Sequence, residues 1–247
     1  MAESTLSLTY TEIAPEVSDH LGYGRTISNW TSDQEARVHR VLDKGYRDFV
    51  NGHPWSFLRT SSTISAVADD AEYDLPDNFA SFDGTITYGS SESYMPITIT
   101  GEPEIRTMQT GYESTSRPTH CCIRPKSNDG TSGQRYEIVF HPEPDASYTL
   151  YYSYHVITNT RLRSSTPYPL GGMLYGEAIQ MCCIAAADRL FRDMGEAEYQ
   201  QTIKMCIFDA VRLDGAHKPK NLGYNHDGER ILSTQISYGT YNGSVGD

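Results

Sequence analysis

The sequence predicts an α+β fold: a helical bundle built from N- and C-terminal helix pairs, an inserted small antiparallel β domain, and an extended C-terminal arm. Three observations lead there. Apolar residues recur at helical spacing in residues 1–54 and 167–216. Between them, in residues 55–166, short β-type segments alternate with turn residues every ten or so positions. The last stretch, 217–247, has five glycines and no helical period. Helices too short to stand alone must bury their stripes together, so the two pairs are expected to share one core.

The first helix is expected over residues 9–21, where Ile13, Val17 and Leu21 recur every four positions. Pro15 belongs in its first turn or delays its start. Gly22 and Gly24 end it. The second helix is capped by Thr31 or Ser32, with Asp33 and Glu35 facing the positive end of the helix dipole. Val38, Val41, Leu42, Tyr46 and Phe49 form its apolar stripe; Gly52 stops it and Pro54 prevents its return.

Residues 55–67 then read as a strand carrying Trp55, Phe57, Ile64 and Val67. Pro76 holds Leu75 extended, and Asp77-Asn78 favours a turn. Strands are expected at 82–88, 94–100, 119–124, 136–141 and 148–157, with a small helix at 103–109. Residues 126–134 form a polar hairpin tip around Asn128, Asp129 and Gly130. After Pro167 and Pro169, Leu174, Ala178, Met181, Cys182, Ala185 and Leu190 line a long helix that Gly195 breaks. Tyr199, Ile203, Cys206, Ile207, Ala210 and Val211 line the next, closed by Gly215 and Pro219. The tail alternates, as in Ile231-Leu232 and Ile236-Ser237-Tyr238, but has little to bury by itself. It reads as an arm that becomes ordered against a partner.

Charge and composition narrow the function. A net charge of −12 disfavours tight nucleic-acid binding, which draws its affinity from Lys and Arg displacing counterions. An acidic wall that DNA slides past is compatible with it. No apolar run approaches the ~20 residues of a membrane span. The start, Met1-Ala2-Glu3-Ser4-Thr5, lacks the basic and apolar regions of a signal peptide, so assembly in a cytoplasm is expected. The five cysteines include two adjacent pairs and no CxxC; neighbours point apart, so they read as small buried side chains in a reducing compartment. Eighteen tyrosines suit both interfaces and strands.

Reactive constellations are weak. The eight histidines form no HExxH or similar ligand pair, and GxSxG, Walker and GxGxxG patterns do not occur. No enzyme activity, cofactor or metal is therefore expected. Glu177 and Asp188 could act as general acids only if buried with a raised pKa; otherwise they are solvated or paired. His39 reads as a surface residue. Arg37, Arg40, Lys44 and Arg47 follow one another at three- and four-residue spacings on or near one polar face of the second helix. They either pair with Asp33, Glu35, Asp43 and Asp48 on the same helix, or they meet an acidic neighbouring subunit.

A set of short motifs carries a family resemblance. Asn29-Trp30, then Val38 and Val41-Leu42-Asp43-Lys44-Gly45-Tyr46, lead to Pro54-Trp55-Ser56-Phe57-Leu58 and to Tyr73-Asp74-Leu75-Pro76-Asp77-Asn78-Phe79. This block resembles tailed-bacteriophage head-to-tail adaptor (connector) proteins, with the P22-type tail accessory factors as the nearest group. The resemblance covers the architecture from residue 9 to 216, and its specific part lies in 29–79. It implies a virion protein forming a homomeric ring, usually of twelve copies, between portal protein and tail tube or nozzle, through which DNA passes without sequence-specific reading. It further implies that Leu232, Ile236, Tyr238 and Tyr241 of the arm meet the portal, and that Asn128, Asp129 and Gly130 meet the tail. The alternatives from other classes are a tail-associated cell-wall hydrolase using a carboxylate such as Glu177, and a carbohydrate-binding β module.

Overall fold

The computed structural model describes residues 3–111, 115–129, 131 and 133–217. It is α+β, with helices at both ends of the described chain and strands between them. The arm residues Leu232, Ile236, Tyr238 and Tyr241 lie outside the described residues, as does Gly130.

Helix α1 spans Tyr10–His20. The Thr9 backbone N–H donates to the Glu12 carboxylate at 2.7 Å, and the Tyr10 N–H donates to Pro167 O at 2.7 Å. These bonds fix the start early, so Pro15 falls beyond the first turn, inside the helix, where no first-turn position absorbs its missing N–H. The helix persists because Ile13, Ala14 and Val17 are fully buried. Gly22 and Gly24 follow it, both at φ 81°, a conformation that suits glycine.

Helix α2 spans Ser32–Asn51. Thr31 and Gln34 cap it reciprocally: Gln34 N–H donates to Thr31 Oγ1 at 3.3 Å, and Thr31 N–H donates to Gln34 Oε1 at 2.9 Å. Its predicted stripe is buried throughout. Helices α4 (Gly176–Phe191) and α5 (Glu196–His217) complete a core shared by all four helices. Gly45 lets α2 and α4 approach closely: a Cβ there would lie 2.5 Å from Cys183 Cα.

Two expectations at the helices are corrected. Gly215 does not close α5, which runs through it to His217; the position is open to solvent and crowds nothing. Leu174 and Met181 do not line the core face of α4, being 45% and 52% exposed. That helix is apolar nearly all round, so spacing alone could not say which side packs. Ile179, Cys182, Cys183 and Ala186 are the buried ones.

The strands are β1 (Arg59–Ala66), β2 (Glu72–Asp74), β3 (Phe79–Phe82), β4 (Thr87–Tyr88), β5 (Thr98–Ile99), β6 (His120–Asp129), β7 (Gly133–His141) and β8 (Tyr148–Val156). They form two sheets. In one, β8 is central, pairing with β1 on one side and with β3 and β4 on the other. The second runs β2-β7-β6-β5, and its β5–β6 pair is parallel, so this sheet is mixed. Along β8, Leu150, Tyr152 and Tyr154 are buried while Thr149 and Tyr151 are exposed, the period of two that a half-buried strand requires. They share a core with Cys121, Ile138 and Phe140 of the other sheet. Helix α3 (Glu102–Gly111) covers that sheet's outer face, with Ile105 on Cys122 and Val139. The adjacent cysteines 121 and 122 thus face opposite sides.

Trp55 and Phe57 are not in a strand. Ser56–Leu58 form a 3-10 turn, and strand pairing starts at Arg59. Trp55 is fully buried in the helical core; its Nε1 donates to Phe49 O at 3.0 Å and its ring stacks on Phe49 at 4.5 Å. Many tyrosines also lie inside, including Tyr46, Tyr175 and Tyr199.

Candidate assembly surface

The polar face of α2 meets residues 157–163, the segment that returns from β8 toward α4. Leu162 is buried in the helical core. Arg161 and Arg163, on either side of it, both reach Asp43 on α2: Arg163 Nη2 lies 2.8 Å from Asp43 Oδ2 and Arg161 Nη1 lies 3.8 Å from it. Asp48 takes Lys44, with Nζ 2.9 Å from Oδ2, and also accepts from the Tyr199 hydroxyl. Lys44 Nζ sits 4.6 Å from the centre of the Tyr199 ring as well.

These pairings use up the nearby carboxylates. Among the described residues, Arg40 and Arg47 make no hydrogen bond or ion pair, and both are exposed. They line a cavity of about 620 Å³ together with Lys44, Arg161 and Arg163. A second hollow of about 380 Å³ adjoins it, sharing Asp43, Arg47 and Arg161 and reaching Val156 at the end of β8. Five cations against Asp43 and Asp48 give the groove a positive character on a chain of net charge −12.

Burial sets the ionisation around it. His39 lines the same groove, and its pKa is lowered, first by burial and then by the charge of Arg163. Its Nε2 shares a hydrogen bond with the Tyr10 hydroxyl at 3.0 Å. The Tyr199 hydroxyl is pushed up by burial and by its bond to Asp48.

Arg40, Lys44 and Arg47 therefore come together. Arg37 does not join them: its Nη1 donates to the Tyr23 hydroxyl at 3.2 Å, and its guanidinium stands 5.8 Å from the Phe191 ring. Asn128 and Asp129 end β6, opposite Gln134 and Gly133. Glu177 is exposed in the first turn of α4, and Asp188 is paired with His20 and Arg192. Among the described residues no group of three or more His, Cys, Asp or Glu side chains could hold a metal ion. No helix among them is long and apolar enough to cross a membrane.

Arg161 and Arg163 escaped the sequence reading. Their signal is the alternation Arg161-Leu162-Arg163, in which burying the middle residue sends both arginines to one side. Asp214 escaped too. It is fully buried near the end of α5 and accepts from Ser56 N–H at 3.0 Å, from the Ser56 hydroxyl and from Tyr175 OH at 3.3 Å; His53 Nε2 lies 3.3 Å away. It ties α5 to the turn that leads into β1.

The family model described as SU10 adaptor protein matches residues 8–213. The chain belongs to the SU10 adaptor protein family. No curated protein matches it. As a phage adaptor it is a structural component of the virion and interacts with other phage head and tail proteins. The match starts just before α1 and ends within α5, so the helical core and both sheets of this adaptor fall inside it.

Proposed function

We propose that this adaptor forms a homomeric ring, of twelve copies as in connectors of this type, between the portal and the tail, and that DNA passes through it. The family match over residues 8–213 carries this reading. Its acidic charge supports a channel wall that does not retain DNA. Exposed apolar side chains on α5 support contact with other chains: Met205 is 71% exposed and Phe208, one turn on, is 68% exposed. On this reading the four helices act as one bundle carrying the ring contacts, and the unpaired cations of α2 meet a neighbouring copy. Leu232, Ile236, Tyr238 and Tyr241 meet the portal, and the Asn128-Asp129-Gly130 tip meets the tail. The protein works by packing, with no catalytic step.

Light scattering of the full chain, alone and mixed with portal rings from the same phage, tests it. A complex containing many adaptor copies per portal is expected. Truncation after His217 should abolish that complex while leaving the melting temperature of the protein unchanged. A wild-type chain that leaves the portal mass unaltered would overturn the reading.

A further inference from the structure

The positive groove has a complement on the same chain. Two loops meet at one end of the sandwich: residues 67–71 after β1 and 142–147 before β8, joined by Asp69 N–H donating to Pro144 O at 2.9 Å. They display Asp69, Asp70, Glu143 and Asp145, all exposed, and among the described residues none has an ion pair. Asp145 accepts from the Tyr148 hydroxyl at 2.7 Å, and Asp70 from the Glu72 N–H at 3.2 Å; both bonds leave the charge in place.

The groove and these loops lie at opposite ends of β8. Val156 lines the hollow that adjoins the groove, and Tyr148 stands beside Asp145. Nine residues rising ~3.3 Å each put the two ends roughly 26 Å apart, so they do not meet within one copy. We infer that the groove of Arg40, Lys44, Arg47 and Arg161 receives the acidic loops of a second copy of this chain. Such a contact joins two different surfaces, and repeated copies of it close into a ring when the rotation allows. The inference rests on the reading of the chain as a self-assembling adaptor and names the contact that assembles it. A protein partner is favoured over duplex DNA because the loops are opposite in charge to the groove and bring only a few carboxylates to it, whereas a long phosphate backbone would also run against the rest of a strongly acidic chain.

The test uses two full-length variants followed by sedimentation velocity. R40E/R47E disables the groove, and D69N/E143K/D145N disables the loops; Asn suits the left-handed backbone of Asp69, at φ 63°. Wild type is expected to self-associate at low salt and less so as salt rises. Each variant alone should associate at least about 100-fold more weakly. Mixed together, they retain one working groove and one working set of loops, and should form a dimer and stop there. Recovery on mixing also shows that both variants are folded. Variants that assemble like wild type would overturn this contact and leave the ring standing. A wild type that stays monomeric alone yet loads onto portal rings would also overturn it, again without touching the ring. Duplex DNA retained by wild type and lost in R40E/R47E would assign the groove to phosphate and overturn the inference.

Discussion

Gly45→Ala sets two physical effects against each other at the crossing of α2 and α4. Helix propensity alone favours alanine in a helix interior by ~1 kcal/mol. Packing opposes it. The new Cβ would lie 2.5 Å from Cys183 Cα, 2.7 Å from Cys183 N and 2.8 Å from Cys182 O. Those are backbone atoms, so no flexible side chain can swing aside. Reaching the ~3.5 Å of normal contact requires α2 and α4 to part by about 1 Å. The separation would loosen Val41, Leu42, Cys182 and Ala186, which are fully buried in the same core. Overpacking of this kind costs roughly 1–3 kcal/mol even after relaxation. We expect a net loss in that range, seen as a fall in Tm of roughly 2–10 °C. Thermal denaturation followed by circular dichroism measures it. Gly215→Ala is the control: it too is helical, and nothing lies within 4 Å of its new Cβ. It should gain a few tenths to ~1 kcal/mol. A Gly45→Ala protein that melts at or above the wild-type temperature would refute the close crossing.

Three further outcomes follow from the geometry. Asp214→Ala should cost ~3 kcal/mol in urea unfolding, because it strands the half-buried N–H and hydroxyl of Ser56 and the buried hydroxyl of Tyr175; a change below ~1 kcal/mol would contradict the burial of Asp214 and Tyr175. The Cys206 thiol is lowered by its hydrogen bond with Cys182, while burial pushes Cys121 and Cys183 up to about 12. Alkylation followed by mass spectrometry should therefore label Cys206 first and at lower pH than the other cysteines, and Cys182→Ala should move the midpoint of that labelling up toward an ordinary thiol. Arg163→Ala should raise the pKa of His39, since a positive neighbour disfavours its protonated form; burial should still hold it below the ordinary value, as an NMR titration of the ring would show.

Elements whose reasons are local were legible in the chain. The cap at Thr31, the Val38-to-Phe49 stripe and the Gly52 stop define α2 without outside help, although the part Gln34 plays in that cap was read only from the structure. The β composition of 148–157 marks the strand β8 in the same way, while the structure shows that Leu150, Tyr152 and Tyr154 form its inner face. Where two faces of an element are equally apolar, spacing gave the wrong side. Met181 sits in such a helix and is exposed. Trp55 is β-type by composition, yet the aromatic stack on Phe49 draws it into the helical core. The cations show the same division. Sequence placed Arg37, Arg40, Lys44 and Arg47 on one helix. It offered the same-helix pairing of Lys44 with Asp48, which the structure contains, but could not show that Arg163 takes Asp43 and that Tyr199 joins at Asp48, leaving Arg40 and Arg47 unpaired.

By itself, then, the sequence determined the class of fold, the order of its elements and the adaptor family, because capping, periodicity and short aromatic motifs act over a few residues. The tertiary structure alone decided which charges stay free, which glycine is a helix contact and which arginines share a groove. Those depend on residues more than a hundred positions apart, such as Asp43 and Arg163, being brought within hydrogen-bonding distance. A one-dimensional pattern holds no record of that distance, and packing of the helical core sets it.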